Sequence, residues 1–566
     1  MFDTLPMSFE TLRQFTWADF QRYYDALAAR PLDASTVTTW LADWTRLNDA
    51  FGEVYSRLSV ATTQNTADAE SEALMKRFFA EVLPPADIAD QKLREKFIAS
   101  GLQPEGMAVP IRNMRAEIEN FREENVAIET EINNLRLEFN KVIGAQTTTW
   151  KGETRTLRQM EPVLQSQDRA ERESVWRAIS TRQLQDREAL NTLWGEFLRR
   201  RIQVAKNAGH PDYRSFMWKE RLRFDYTPDD NQRFLDAIAE VVVPAATKLY
   251  EKRRQQLGVE TLRPWDLSVD PLGREPLRPF ENVEELEDRA ATIFERLDPE
   301  LATYYGMMRD DSLLDLGNRE NKGPGGYCTA FPASKRPFIF MNAVGLHGDI
   351  RTLIHEAGHA FHAFEKLKLP YSFQRNVTAE FNEVASMAME LLTFPYWSRE
   401  EGGYYSTADA NRARVEHLEK VIHFWPYMSV VDGFQHWAYT HPEAAADPIE
   451  CDLAWTRLWD RFEPYVDYTG LEADKADGWH RKLHIYLYPF YYVDYGMAQL
   501  GALQVWMRMR SDHAGALAAY KRALALGGTA TLPELYSAAG ARFEFTTETL
   551  GEAVNLIMET IEELEG

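Results

Sequence analysis

The run His355-Glu356-Ala357-Gly358-His359 constrains this chain more than any other feature. On a helix, residues four apart lie one above the other, so the two imidazoles point the same way and can share one metal ion. Glu356 then sits beside that ion, within reach of a water bound to it. The run therefore asks for a continuous helix with one face turned into a site. It also asks for a further ligand, because a tetrahedral catalytic zinc takes three protein ligands and keeps a fourth position open.

The sequence offers several candidates for that ligand. His362 lies three residues beyond His359 on nearly the same face, but from one straight helix it would have to bend back past its neighbour. A third His six residues after the second, as another zinc pattern requires, is excluded because that position is Glu365. A carboxylate from a following helix remains, and the segment from Thr378 to Glu390 supplies Glu380, Glu383 and Glu390. Glu383 shares a helix face with Ser386 and Glu390. An antiparallel second helix could place Glu383 on the metal and Glu390 behind a ligating His as the acceptor that orients its ring.

Around this core the pattern is helical. Residues 8–80 carry helix-period apolar positions such as Leu12, Phe15, Phe20, Tyr23 and Leu27. Between residues 87 and 142, Ile111, Met114, Ile118 and Phe121 recur at spacings of three and four, which predicts long amphipathic helices in a hairpin. A Thr run near residue 147 is strand-like, and residues 161–208 return to helix. Prolines and glycines mark loops at 264–279 and 318–337. Phe338 to Asn342 reads as a strand that could lend its edge to a substrate backbone. Gly325 and Gly326 would let the preceding loop come close to such a chain. With Tyr327 and Phe340, they are the candidate substrate-binding positions. Residues 349–366, 378–392 and 412–425 show helical periodicity, the last stopping at Pro426.

Charge excludes some functions. Lys and Arg number 64 against 87 Asp and Glu, a net charge of −23 that repels nucleic-acid phosphates and anionic lipid. Only Cys328 and Cys451 are present, so no disulfide framework is expected. No stretch reaches the roughly 18 consecutive apolar residues of a membrane helix. Asp3 and Glu10 interrupt any signal-peptide pattern. These features predict a cytoplasmic protein without nucleic-acid or membrane partners; oligomeric state is not legible.

Three motifs, in order, carry a family resemblance. HEAGHAFHAFE is followed, 24 residues after His359, by the Glu383 of NEVASMAME. GGYCT occupies 325–329, and HIYLYPFYYVDYGMAQLGALQVW runs from His484 to Trp506. Together they resemble the thimet oligopeptidase and oligoendopeptidase F family of zinc metallopeptidases. The resemblance implies a mainly α fold, with two helical halves enclosing a deep substrate channel and a small β-sheet beside the zinc helices. It implies one zinc per chain on His355, His359 and Glu383, with Glu356 as general base. It also implies that His484, Tyr488, Tyr492 and Tyr495 face the substrate, Tyr495 being the first choice and His484 the second for donating a hydrogen bond to the oxyanion. The spacing of the tyrosines predicts that they share one helix face. The expected division is an N-terminal helical region, 1–190, and a catalytic region, 191–566. The expected activity is cleavage of internal bonds in short unstructured peptides. The competing readings are a zinc aminopeptidase of another HExxH type and a helical peptide-binding protein without catalysis.

Overall fold

A computed structural model describes all 566 residues. The chain is mainly helical, with a two-stranded and a three-stranded sheet. It forms two compact units, each assembled from separated stretches of sequence. The first comprises residues 1–118, 277–414 and 498–543; the second comprises 119–276, 415–497 and 544–566. Residue 190 is not one of these boundaries; it lies within the 119–276 stretch of the second unit, on helix Arg187–Asn207. No helix is long and apolar enough to cross a membrane.

The first unit begins with a bundle whose core is aromatic. Trp40 and Trp44, one turn apart on helix Val37–Gln64, meet edge to face at 4.9 Å, and Phe373 tilts onto Trp44 at 4.2 Å. Both indoles are fully buried, so their N–H groups need partners; Trp40 donates to the Leu27 carbonyl and Trp44 to Asp90. The same helix reaches the sheet through Glu53, a buried carboxylate that accepts from the backbone N–H groups of Ala333 and Ser334.

In the second unit the hairpin β1 (Thr147–Trp150) and β2 (Glu153–Thr156) is antiparallel, as the Thr run suggests. The charged stretch before it forms three helices in place of one hairpin: Leu83–Ala99 and nearly all of Ala108–Asn120 belong to the first unit and Glu123–Gly144 to the second. The last of these packs along helix Arg187–Asn207.

The three-stranded sheet of the first unit has β3 (Leu314–Gly317) parallel to β5 (Arg336–Ala343), with β4 (Tyr327–Phe331) antiparallel on the other side. Two expectations change here. The Gly- and Pro-rich stretch 318–337 contains a strand, and the Phe338–Asn342 strand is central. Both of its edges are already paired, so it has no edge to lend; the edge strand beside it is β4. Phe340 is fully buried, with the Tyr327 ring stacked on it at 4.9 Å and the Lys322 ammonium over it at 4.5 Å. It has no surface left for a substrate.

Helix Thr407–Thr440 runs straight through Pro426. Proline removes one helical donor and normally ends such a run, but Ile422, Trp425, Met428, Val430, Val431 and Phe434 on both sides are fully buried. Burial of that many large side chains outweighs one missing hydrogen bond.

Candidate metal centre

Helix His347–Lys366, the motif helix, starts where Asp349 accepts from the backbone N–H groups of Val344 and Leu346. Ile350, Leu353, Ile354, Ala357, Phe361 and Phe364 recur at helical spacing and are buried, which fixes the rotation of the helix. The second helix of the site, Ala379–Leu392, is apolar in the same way through Phe381, Val384, Ala385, Ala388 and Met389. Gly358 sets the distance between the two. A Cβ there would stand 2.7 Å from both the Ala385 carbonyl oxygen and the Ser386 Cα. The central glycine of HEAGH thus lets the two backbones touch and brings Glu383 against the histidines.

One donor atom each from His355, His359 and Glu383 lie within 4.8 Å of one another. Glu383 Oε2 is 3.4 Å from His355 Nε2 and 3.6 Å from His359 Nε2, and the two imidazoles are nearly perpendicular. Glu390 Oε1 is 2.7 Å from His355 Nδ1, which turns Nε2 toward the cluster. Ser386 Oγ donates to Glu383 Oε2 at 3.1 Å. Two neutralisable imidazoles and one carboxylate, each ring aimed by its helix and one of them by a carboxylate behind it, are the donor set that zinc prefers. The residues present fit that metal.

The electrostatics separate these groups. Burial draws His355 down, but Glu383 and Glu390 overcome it and carry it up to about 10. Burial draws His359 down to about 4. Burial would raise Glu383, yet its contacts with the two histidines hold it below the ordinary carboxylate value. Glu356 is pushed up to about 7, mainly by burial, with Glu383 and Glu390 adding to the rise. A carboxyl near neutrality is what a general base needs. Its carboxylate also accepts from the Cys328 backbone N–H on β4. The glycines and prolines of 318–337 mark a loop and hide this contact in the sequence; Tyr327 and Thr329 are the strand-favouring residues that signal β4.

The remaining candidates fall into place around this centre. His362 is buried against Phe381, its two ring nitrogens have no partner, and burial keeps it neutral, so it is not a ligand. Glu380 is buried outside the three-donor cluster. Gly325, at φ +95°, needs glycine's freedom, and a Cβ on Gly326 would meet Thr352 Cγ2 at 2.9 Å. The Gly-Gly turn therefore passes against the motif helix one turn before His355. The Tyr327 hydroxyl is engaged by Thr63.

The second unit brings His484, Tyr488, Tyr492 and Tyr495 together. The His484 ring lies 4.5 Å from Tyr492, 6.3 Å from Tyr488 and 6.5 Å from Tyr495. Fully buried Arg201 donates to the Tyr439 hydroxyl and to the carbonyls of Ile485 and Tyr486, which anchors the short helix bearing His484. Only Tyr492 and Tyr495 belong to helix Tyr492–Ser511. Tyr488 lies in the preceding turn, where Phe490 takes φ +59°, a left-handed conformation costly for an aromatic residue. That turn is secured by Gln435, which accepts from the Phe490 N–H, and by Arg223, which donates to its carbonyl. Tyr488 is accordingly 51% exposed while Tyr492 is buried. Tyr491 and Lys482 complete the cluster and were not singled out in the sequence.

This mainly helical, two-unit architecture is one that known peptidases share. The structure of PZ peptidase A with an inhibitor superposes with a TM-score of 0.86 at 27% identity, covering 100% of this chain and 99% of that one. A candidate oligoendopeptidase F from Bacillus anthracis str. Ames superposes with a TM-score of 0.82 at 25% identity, covering 96% of each chain. The profile of Peptidase family M3 matches residues 163–554, and the chain belongs to that family. An oligoendopeptidase F homolog from Mycoplasma pneumoniae is 24% identical over 442 residues, which cover 69% of this chain and 65% of that relative's length.

Proposed function

We propose that the protein is a zinc-dependent endopeptidase of the oligopeptidase type, acting in the cytoplasm on internal bonds of short unstructured peptides. The observation that carries this reading is the His355, His359 and Glu383 cluster with a second carboxyl outside it, Glu356, raised to about 7 beside it. A purely structural metal site has no use for such a base and closes its fourth position with a protein ligand. That an oligoendopeptidase F homolog and PZ peptidase A are among its relatives supports the same reading.

Zinc, when bound by these three residues, supplies the acidity that activates a water and polarises the scissile carbonyl. Glu356 takes the proton of the attacking water and delivers it to the leaving amine nitrogen. Glu390 keeps His355 in the orientation and tautomer that present Nε2. Tyr495 donates a hydrogen bond to the developing oxyanion, with His484 next in order; this assignment rests on the motif they share with the family. The Gly325-Gly326 turn and β4 offer backbone groups to an extended peptide. With a net charge of −23, nucleic acid is not a partner in this reading.

The test is hydrolysis of internally quenched peptides blocked at both ends, with and without a chelator. Cleavage that chelation abolishes and zinc restores is the expected result. Cleavage only of peptides with a free amino terminus would assign an aminopeptidase, and tight binding without cleavage would assign a binding protein.

A further inference from the structure

Among the cations of the second unit, Lys482 stands apart. Arg172 is paired with Asp266 at 3.0 Å, Arg223 with Asp494, and Arg201 with backbone carbonyls. Arg221, which stands over the Tyr491 ring, has Asp494 at 3.5 Å. Lys482 has no carboxylate within salt-bridge distance. Its backbone is extended between two short helical turns, and its ammonium lies 3.6 Å from the centre of the Tyr492 ring and 5.1 Å from that of Tyr427. Ring faces hold a cation in place but leave its charge unneutralised. Burial alone pulls this ammonium down to about 8, which registers the cost of holding it there.

The neighbour two residues on is equally unfinished. His484 packs on the same Tyr492 ring at 4.5 Å, and its Nδ1 is buried without a partner. Burial, and then Lys482 and Arg221, bring it down to about 3, so it is a neutral ring able to donate one hydrogen bond. An uncompensated ammonium, an unused imidazole nitrogen and the exposed Tyr488 ring thus converge in a chain whose overall charge is strongly negative. An unpaired half-buried cation is unfavourable in the free protein and becomes favourable when an anion arrives.

We infer that Lys482 is the receptor for a carboxylate of the substrate peptide, and that it selects peptides which bring a free C-terminal carboxylate or an acidic side chain to the subsite formed with His484 and Tyr492. This inference rests on the peptidase reading for its substrate class, but its test can be read without turnover. Three N-terminally labelled peptides of one sequence serve: a neutral peptide ending in a free acid, its C-terminal amide, and the amide carrying an internal Glu. Their dissociation constants are measured by fluorescence anisotropy on the Glu356→Gln chain, alone and combined with Lys482→Met or Lys482→Arg.

The free acid, the Glu peptide or both should bind about tenfold to a hundredfold more tightly than the neutral amide, the range of a charge-assisted hydrogen bond. The preference should collapse toward one in Lys482→Met and survive in Lys482→Arg, with melting temperatures reporting that both variants fold. Which peptide shows the preference identifies the source of the carboxylate. Equal binding of all three peptides, or a preference that Lys482→Met leaves intact, would overturn the inference and make Lys482 a strut between two rings. If the zinc-loaded chain with native Glu356 cleaves no peptide, the peptidase reading fails while the binding ratios still decide this one.

Discussion

The two units hold their distinctive side chains by different means. In the first, charge does the work: His355 is bracketed by Glu383 and Glu390, and Glu356 is raised by burial beside them. In the second, rings do: His484 is neutral, and Tyr488, Tyr492 and Tyr495 are placed by edge and face contacts around it. A network of buried charges makes each group's ionisation depend on its neighbours, so one substitution changes the chemistry of several. A ring cluster fixes where hydroxyls sit, so a hydroxyl can be removed with little change in packing. Substitutions should therefore behave differently in the two regions.

The largest effect is expected at Glu356. Glu356→Gln keeps the side chain's shape and all three candidate ligands but removes the base, so turnover should fall by about a hundredfold to ten-thousandfold while zinc stays bound. Zinc content and kcat measured on the same sample check this, and a near-normal rate would remove Glu356 from the mechanism. In the ring cluster, Tyr495→Phe deletes one hydroxyl and keeps the packing. A lost oxyanion donor lowers kcat by about a hundredfold to a thousandfold with little change in KM. Tyr492→Phe alongside it is the control, because the Tyr492 phenol is buried against His484 and Phe424. Equal losses in both variants would show that donation is not particular to Tyr495, and full turnover in Tyr495→Phe would remove it as the donor.

A smaller effect is expected at Glu390, which meets the site through His355 Nδ1. Glu390→Gln should weaken zinc binding by about tenfold to a hundredfold, the usual cost of losing the acceptor behind a metal-bound imidazole. Competition with a chelator of known affinity measures it. Unchanged affinity would mean that the motif helix alone orients His355.

The same contrast decides what the sequence could disclose. The metal cluster lies on two uninterrupted helices, so residue spacing converts directly into geometry, and Glu383 and Glu390, seven apart, fall on one face. Gly358 also had a physical reading available, as a close approach of backbones. The ring cluster is built across a turn. The helical spacing of Tyr488, Tyr492 and Tyr495 hid the left-handed Phe490, which takes Tyr488 off the helix. The position of β5 depends on β3, a four-residue strand with no alternation to announce it, so the burial of Phe340 was not legible. The division into units was hidden for a related reason. Three of its boundaries, after residues 118, 414 and 497, fall inside helices Ala108–Asn120, Thr407–Thr440 and Tyr492–Ser511, where neither composition nor periodicity changes.

The finest test of the charged network is a count of protons. In the metal-free chain His355 is carried up to about 10, chiefly against burial and by Glu383 and Glu390, whereas His359 is drawn by burial down to about 4. At neutral pH one imidazole is therefore charged and the other is not. A zinc ligand must be a neutral imidazole, so binding at pH 7 to the Glu356→Gln chain, which lacks the carboxyl raised to about 7, should release about one proton, from His355, and none from His359. Calorimetric titration in buffers of different ionisation enthalpy counts it. Zinc affinity should then rise with pH up to about 10, by about tenfold per unit. Stability of the metal-free chain should move the other way. A histidine whose pKa is higher in the folded state stabilises the fold fully below its unfolded value of about 6.5, and that contribution is lost as pH rises through about 10. Glu390→Gln removes one of the two carboxylates that raise His355, so it should shrink both the proton count at pH 8 and the pH slope. Release of no proton, or of two, at pH 7 would show that the two histidines are not held in different charge states.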